Sequence, residues 1–105
     1  MNSRVLIAIC IAIGALSGPR AFAQDADALK KAQAAFDQAQ TDYLQGKYDE
    51  AAKEFQDAYA SRPFPQFLYN VGASFHMKGK KSSDVEAYGK AVEFYKKYLD
   101  RKSVV

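Results

Sequence analysis

The chain has 105 residues, enough for one domain of ordinary size. Hydrophobic residues make up 49% and charged residues 26%, a globular balance that excludes a disordered chain, and the formal net charge is only +3. One Cys and one His exclude an intrachain disulfide framework, a Cys-based zinc site and a His-rich metal site, so no cofactor or metal is expected.

Met1 to Arg4 is a short basic start, and Val5 to Leu16 is an apolar run of 12 residues. The segment ends in Ala21-Phe22-Ala23, the small-large-small pattern cut by signal peptidase. Residues 1–23 therefore read as a cleaved signal peptide and residues 24–105 as the mature helical domain. The apolar run falls short of the roughly 20 residues that span a bilayer, so no integral membrane span is expected after cleavage. An uncleaved membrane-anchoring segment is the alternative. Cys10 sits inside the apolar run, whereas a lipidated Cys follows one, and it leaves with the peptide. Export places the protein in a bacterial periplasm or outside the cell. The mature part carries 13 basic and 12 acidic residues, net +1. Residues 24–75 are net −3 and residues 76–105 net +4. Opposite potentials of this kind favour head-to-tail self-contact, or are ordinary solvated surface.

Four helices are predicted in the mature part. From Asp25 to Gln45 the apolar residues Leu29, Ala32, Phe36, Ala39 and Tyr43 recur in steps of three and four, the stripe of an amphipathic helix. Asp25 and Asp27 suit the positive end of its dipole, and Gly46 supplies a stop. A second helix is expected over Tyr48 to Ser61, with the stripe Tyr48, Ala51, Phe55, Ala58 and Tyr59. Pro63 and Pro65 prevent it from continuing. A third should start near Pro65 and run to Lys78 on Phe67, Leu68, Val71 and Phe75. Gly72 interrupts its bulky face, which implies close approach of a neighbouring helix. Ser83-Asp84-Val85-Glu86 has the form of a capping box and starts the fourth helix, which ends near Arg101. No run alternates with period two, so no strand is expected and the fold class is all-α.

The stretch Gly46, Tyr48, Ala51, Phe55, Ala58 and Pro63 has the offsets of a known unit: a turn glycine, two alanines at helix crossings, aromatics beside them and a terminating proline. It resembles the second half of a tetratricopeptide repeat, a helix–turn–helix unit of about 34 residues. Asn70, Gly72 and Gly79 resemble the opening helix of a following repeat, and Ala91, Tyr95 and Tyr98 another closing helix. The resemblance implies two antiparallel helical hairpins forming a short α-solenoid, repeat one at about 32–65 and repeat two at about 66–102. Gly46 and Gly79 are 33 residues apart, but Ala51 and Ala91 are 40 apart, which places a seven-residue insertion after Gly79. Seven residues are about two helical turns, so the insertion reads as an elongated last helix, with a mobile loop over residues 78–84 as the alternative. Two repeats leave open whether the helices close on themselves, whether an apolar face remains for a partner, or whether the chain is part of a longer array.

No catalytic motif is present: His76 lacks a paired nucleophile, and neither a metalloprotease, a Walker nor a dinucleotide pattern occurs. The lysine clusters at residues 78–81 and 96–102 are weak grounds for nucleic acid in an exported chain of near-neutral net charge. A non-enzymatic, protein-binding role is therefore expected, with a protein or peptide partner, no nucleic acid, and a homo-oligomer as one outcome. The resemblance places the partner-binding residues on the first helix of each pair. They are Gln33, Phe36, Gln40 and Tyr43, then Tyr69, Asn70, Ala73, His76 and Met77. Phe36 and Tyr43 lie on the core stripe as well. Asn70 matches one position of the clamp by which some members hold a terminal carboxylate, but Phe36 and Gln40 stand where that clamp has Lys and Asn. A periplasmic chaperone or assembly factor, and a self-associating structural fragment of a longer repeat protein, are the competing expectations.

Overall fold

The computed structural model describes residues 19–102, with side chains from residue 23. The apolar run and Cys10 lie outside the described residues. Among the described residues there are four helices and no strand: α1 (Pro19–Leu44), α2 (Tyr48–Ser61), α3 (Pro65–Ser82) and α4 (Val85–Lys102). Each helix packs on the next in sequence, as links of two or three residues require of antiparallel hairpins. None of these helices is long and apolar enough to cross a membrane.

The three connections follow from local chemistry. Gly46 takes φ +78° and ends α1. Its N–H donates to the Tyr43 carbonyl at 3.0 Å and the Lys47 N–H to the Asp42 carbonyl at 2.8 Å, the paired bonds of a Schellman motif. Between α2 and α3, Pro63 and Phe64 turn the chain and Pro65 opens the new helix. Arg62 lies over the Phe64 ring at 4.8 Å and pairs with Asp25 at 2.9 Å, fastening this turn to the N-terminal part of α1.

Three boundaries differ from the sequence expectation. α1 reaches back to Pro19, so Asp25 and Asp27 sit within the helix rather than at its first turn, and the expected cleavage point falls inside it. α3 continues past Lys78 to Ser82. The capping box at Ser83 does not form. Ser83 adopts the left-handed conformation (φ 51°) and closes α3, with the Asp84 N–H bonded to the Gly79 carbonyl at 3.1 Å. The cap of α4 is Asp84, whose Oδ1 accepts from the Ala87 N–H at 3.2 Å. Residues 80–82, expected to belong to an elongated last helix, thus extend α3 instead, and α4 opens at Val85. The last helix is elongated, 18 residues against 14 for α2, and α3 equals it.

The core is made of small residues at the crossings and aromatics between them. Ala39, Ala51, Ala58 and Val71 are wholly buried, and Ala32, Ala52, Ala87 and Ala91 nearly so. Alanine at these points lets helix axes approach closely, and the space beside them is filled by larger side chains. Phe36 stands between the hairpins, its ring 5.8 Å from Phe55 and 5.6 Å from Phe67. Phe75 stacks on Phe94 at 5.9 Å and joins α3 to α4. Gly72 and Gly79 are buried because tyrosines lie on them: a Cβ at Gly72 would meet the Tyr95 ring, and one at Gly79 the Tyr88 ring. The extended end of α3 is tied back to the first turn. Lys78 donates to Asp49 at 2.8 Å, Lys81 donates to the Gly46 carbonyl at 3.1 Å, and Lys81 also lies 5.6 Å from the centre of the Tyr48 ring.

Candidate functional site

The candidate site is a cleft of about 430 Å³ on the face where α1 and α3 run side by side. Six of the residues read from the sequence line it together: Phe36, Gln40 and Tyr43 from α1, and Tyr69, Asn70 and Ala73 from α3. The helical period explains the grouping. Positions 36, 40 and 43 are spaced four and three apart, positions 69 or 70 and 73 likewise, so each set projects from one side of its helix. α2 lies behind both helices and supplies Phe55 to the lining.

The three other residues stand apart. Gln33 is exposed, and its amide donates to Asp37 one turn further along α1 at 2.9 Å. His76 is exposed and faces α4, its ring 5.9 Å from Tyr88 and 6.3 Å from Tyr95, with Nδ1 3.4 Å from the Tyr95 hydroxyl. Met77 is half-buried and does not line the cleft. Ala73 is the last α3 residue of the cleft, and His76, three residues on, is turned to α4. Two lining residues were missed. Leu44 is 84% exposed and follows Gln40 by four residues, a spacing that could have found it. Phe55 is a core residue of α2 as well as part of the lining.

The cleft is uncharged. Its lining holds four aromatic rings, one leucine, one alanine and two amides, with no Lys, Arg, Asp or Glu. Burial raises the Tyr43 phenol above its ordinary value, and the neighbouring Tyr48 and Tyr69 add to the effect, so its hydroxyl stays protonated at neutral pH. Tyr43 is held edge-on by Tyr48, with ring centres 5.4 Å apart. Tyr69 is held by Tyr95 at 5.4 Å and by Tyr98 at 5.5 Å. The Tyr95 phenol is raised in the same way, first by burial and then by Tyr69 and Tyr43. Both walls are therefore braced from behind. The Gln40 and Asn70 side-chain amides make no hydrogen bond among the described residues, whereas Gln33, Gln38 and Gln56 are each engaged within their own helix. The arrangement can bury apolar side chains and offer two amides, each able to donate and accept, to a peptide backbone.

Among the described residues, no three His, Cys, Asp or Glu side chains gather as metal ligands. An acidic contact lies outside the cleft, between α1 and α2. Asp42 is buried and accepts from Gln38 Nε2 at 3.2 Å. Glu54 approaches it from α2, and Glu54 Oε2 is buried without a hydrogen-bond partner. Loss of water raises the Glu54 carboxyl above the ordinary range, and its contact with Asp42 raises it further.

Comparison with protein-family models, curated proteins and solved structures finds no match to this chain.

Proposed function

We propose that this protein is a non-enzymatic, tetratricopeptide-like binding module of the bacterial cell envelope, and that the α1–α3 cleft takes an extended, uncharged peptide segment of a partner protein. The observation that carries this reading is the coincidence of two independent lines. The residues that the repeat resemblance assigns to ligand contact include six that line one cleft, and the two amides among them are unengaged. A side-chain amide opposite a peptide unit can satisfy both its N–H and its C=O, and the aromatic walls suit apolar side chains on either side. The absence of charge in the lining argues against an acidic or basic ligand, and the Lys and Asn of a carboxylate clamp are missing from Phe36 and Gln40. The envelope placement rests on the basic start, the apolar run and the Ala21-Phe22-Ala23 pattern.

The test is binding of the purified protein to an array of extended peptides, read by fluorescence anisotropy. Uncharged sequences with spaced apolar residues should bind, and acidic or strongly basic ones should not. Asn70→Ala and Gln40→Ala should each weaken binding about threefold to tenfold, the worth of one hydrogen bond, with an unchanged melt. Binding that is insensitive to both substitutions, or confined to charged peptides, would overturn the reading.

A further inference from the structure

α4 uses only part of its apolar surface within the molecule. Ala87 and Ala91 are buried, Tyr88 and Tyr95 lie on the α3 glycines, and Phe94 stacks on Phe75. Three large apolar side chains point elsewhere: Val85 is 81% exposed, Val92 52% and Leu99 58%. They are spaced seven and seven, about two turns each, so they form one straight row along the helix. Tyr88 and Tyr95, three residues after Val85 and Val92, are taken up by α3, so what α4 leaves outward is a single line of every seventh residue, the repeat on which paired helices meet. None of the three lines the α1–α3 cleft.

Gly89 sits in this row, four residues after Val85 and three before Val92. Glycine in a helix is disfavoured against alanine by about 1 kcal/mol. At Gly72 and Gly79 a tyrosine ring accounts for it, but a Cβ at Gly89 would meet nothing within 4 Å. No contact among the described residues requires a glycine there. Bare backbone on an exposed apolar row is what close approach of an outside helix would use.

The charges favour one occupant. The first half of α4 with its cap carries Asp84, Glu86 and Lys90, net −1, and the second half Glu93, Lys96, Lys97, Asp100, Arg101 and Lys102, net +2. A second α4 laid antiparallel brings each basic end against the other's acidic start and opposes the two helix dipoles. Head-to-tail stacking would set this row against α1, whose exposed residues include Lys30, Asp37 and Thr41 beside Leu29 and Leu44, with no matching seven-residue row.

We propose that α4 pairs with α4 of a second copy of this chain, antiparallel about a two-fold axis at Val92, with Val85 of each copy facing Leu99 of the other. Such an interface is isologous and closes at two copies.

Cross-linking of the full chain in a Cys10→Ser background tests the geometry. Val92→Cys should form a disulfide-linked dimer under mild oxidation. Val85→Cys and Leu99→Cys should not do so alone, because like positions are then about 21 Å apart, beyond the reach of a disulfide. Mixed together, those two variants should cross-link to each other. Val92→Glu should reduce the mass in light scattering to that of one chain while helix content stays unchanged. The double variant Val85→Lys, Leu99→Glu should recover the dimer that either single change loses. A one-chain mass for the unmodified protein at micromolar concentration would overturn the proposal, since the row would then be left bare or be covered by the chain's own first residues. Efficient cross-linking of all three single-Cys variants alone would overturn it too, because it reports parallel helices.

Discussion

Tyr95 of α4 lies directly on Gly72 of α3: a Cβ built at Gly72 would be 2.7 Å from Tyr95 Cδ1 and 2.8 Å from Cε1. The glycine thus sets how close the last two helices come, and through Tyr95 it sets where Tyr69 stands at the rim of the cleft. Gly72→Ala gains about 1 kcal/mol of helix propensity but overpacks the contact, and overpacking costs about 1–3 kcal/mol. The overlapping atoms belong to a ring held against Tyr69, so they have little room to give. A lower thermal midpoint is expected, and calorimetry checks it. A rise would mean that α4 moves freely away from α3.

The link between α3 and α4 makes a paired prediction. Asp84→Ala removes the side-chain acceptor at the start of α4 and should destabilise by about 0.5–2 kcal/mol. Ser83→Gly should act in the opposite direction, because Ser83 is a non-glycine residue at φ 51° and glycine takes that conformation without a Cβ penalty, a gain of up to about 1 kcal/mol. Urea melts of both variants measure the two signs. Equal and small effects would place the cap elsewhere.

Much of the helical layout is legible in the sequence, and the misses have local causes. The three-four spacing of Ala32, Phe36, Ala39 and Tyr43 marks the packed face of α1, and Gly46 marks its end because a left-handed residue is needed there. The end of α3 is hidden because Lys80, Lys81 and Ser82 carry no apolar signal, and Gly79 looks like a stop. In the structure Gly79 is buried under Tyr88 in mid-helix. Ser83 and Glu86 have the spacing of a capping box, but Ser83 turns left-handed and the Glu86 carboxylate lies 3.8 Å from Lys90. Phe36 is both core and cleft residue, so its two readings do not compete. His76 does not join the cleft because its ring lies against Tyr88 and Tyr95 of α4, contacts that the pattern of α3 alone does not reveal.

The Asp42–Glu54 contact makes stability depend on pH. The Glu54 carboxyl is raised, first by loss of water and then by Asp42, so the folded state binds a proton at Glu54 more tightly than the unfolded chain does. Stability from this group is therefore present below the ordinary carboxylate range and is lost as pH rises through the raised value. Glu54→Gln keeps the shape, removes the charge and can donate to Asp42. It should raise the melting temperature at pH 8, and the gain should shrink as the pH is lowered towards 4. Melts of the two proteins across that range measure the difference. A gain that is constant with pH would mean that Glu54 reaches water in the folded state.

Ala51 is wholly buried in α2, in one cluster with Ala39, Phe55 and Val71. Its methyl group is therefore held between α1 and α3, the two helices whose separation sets the width of the cleft. Ala51→Leu adds three carbons at a wholly buried position, which forces neighbouring side chains off their rotamers or the helices apart, at about 1–3 kcal/mol. For a domain whose whole stability is about 5–15 kcal/mol that is a large share. The strain also has a direction. Phe36 and Phe55 are in ring contact at 5.8 Å and both line the cleft, so displacement at Ala51 should reach the face proposed to bind peptide. The expected outcome is a lower thermal midpoint together with weaker peptide binding, the two measured on the same sample. A midpoint equal to that of the parent protein would show that the Ala51 side of α2 is not packed between the hairpins.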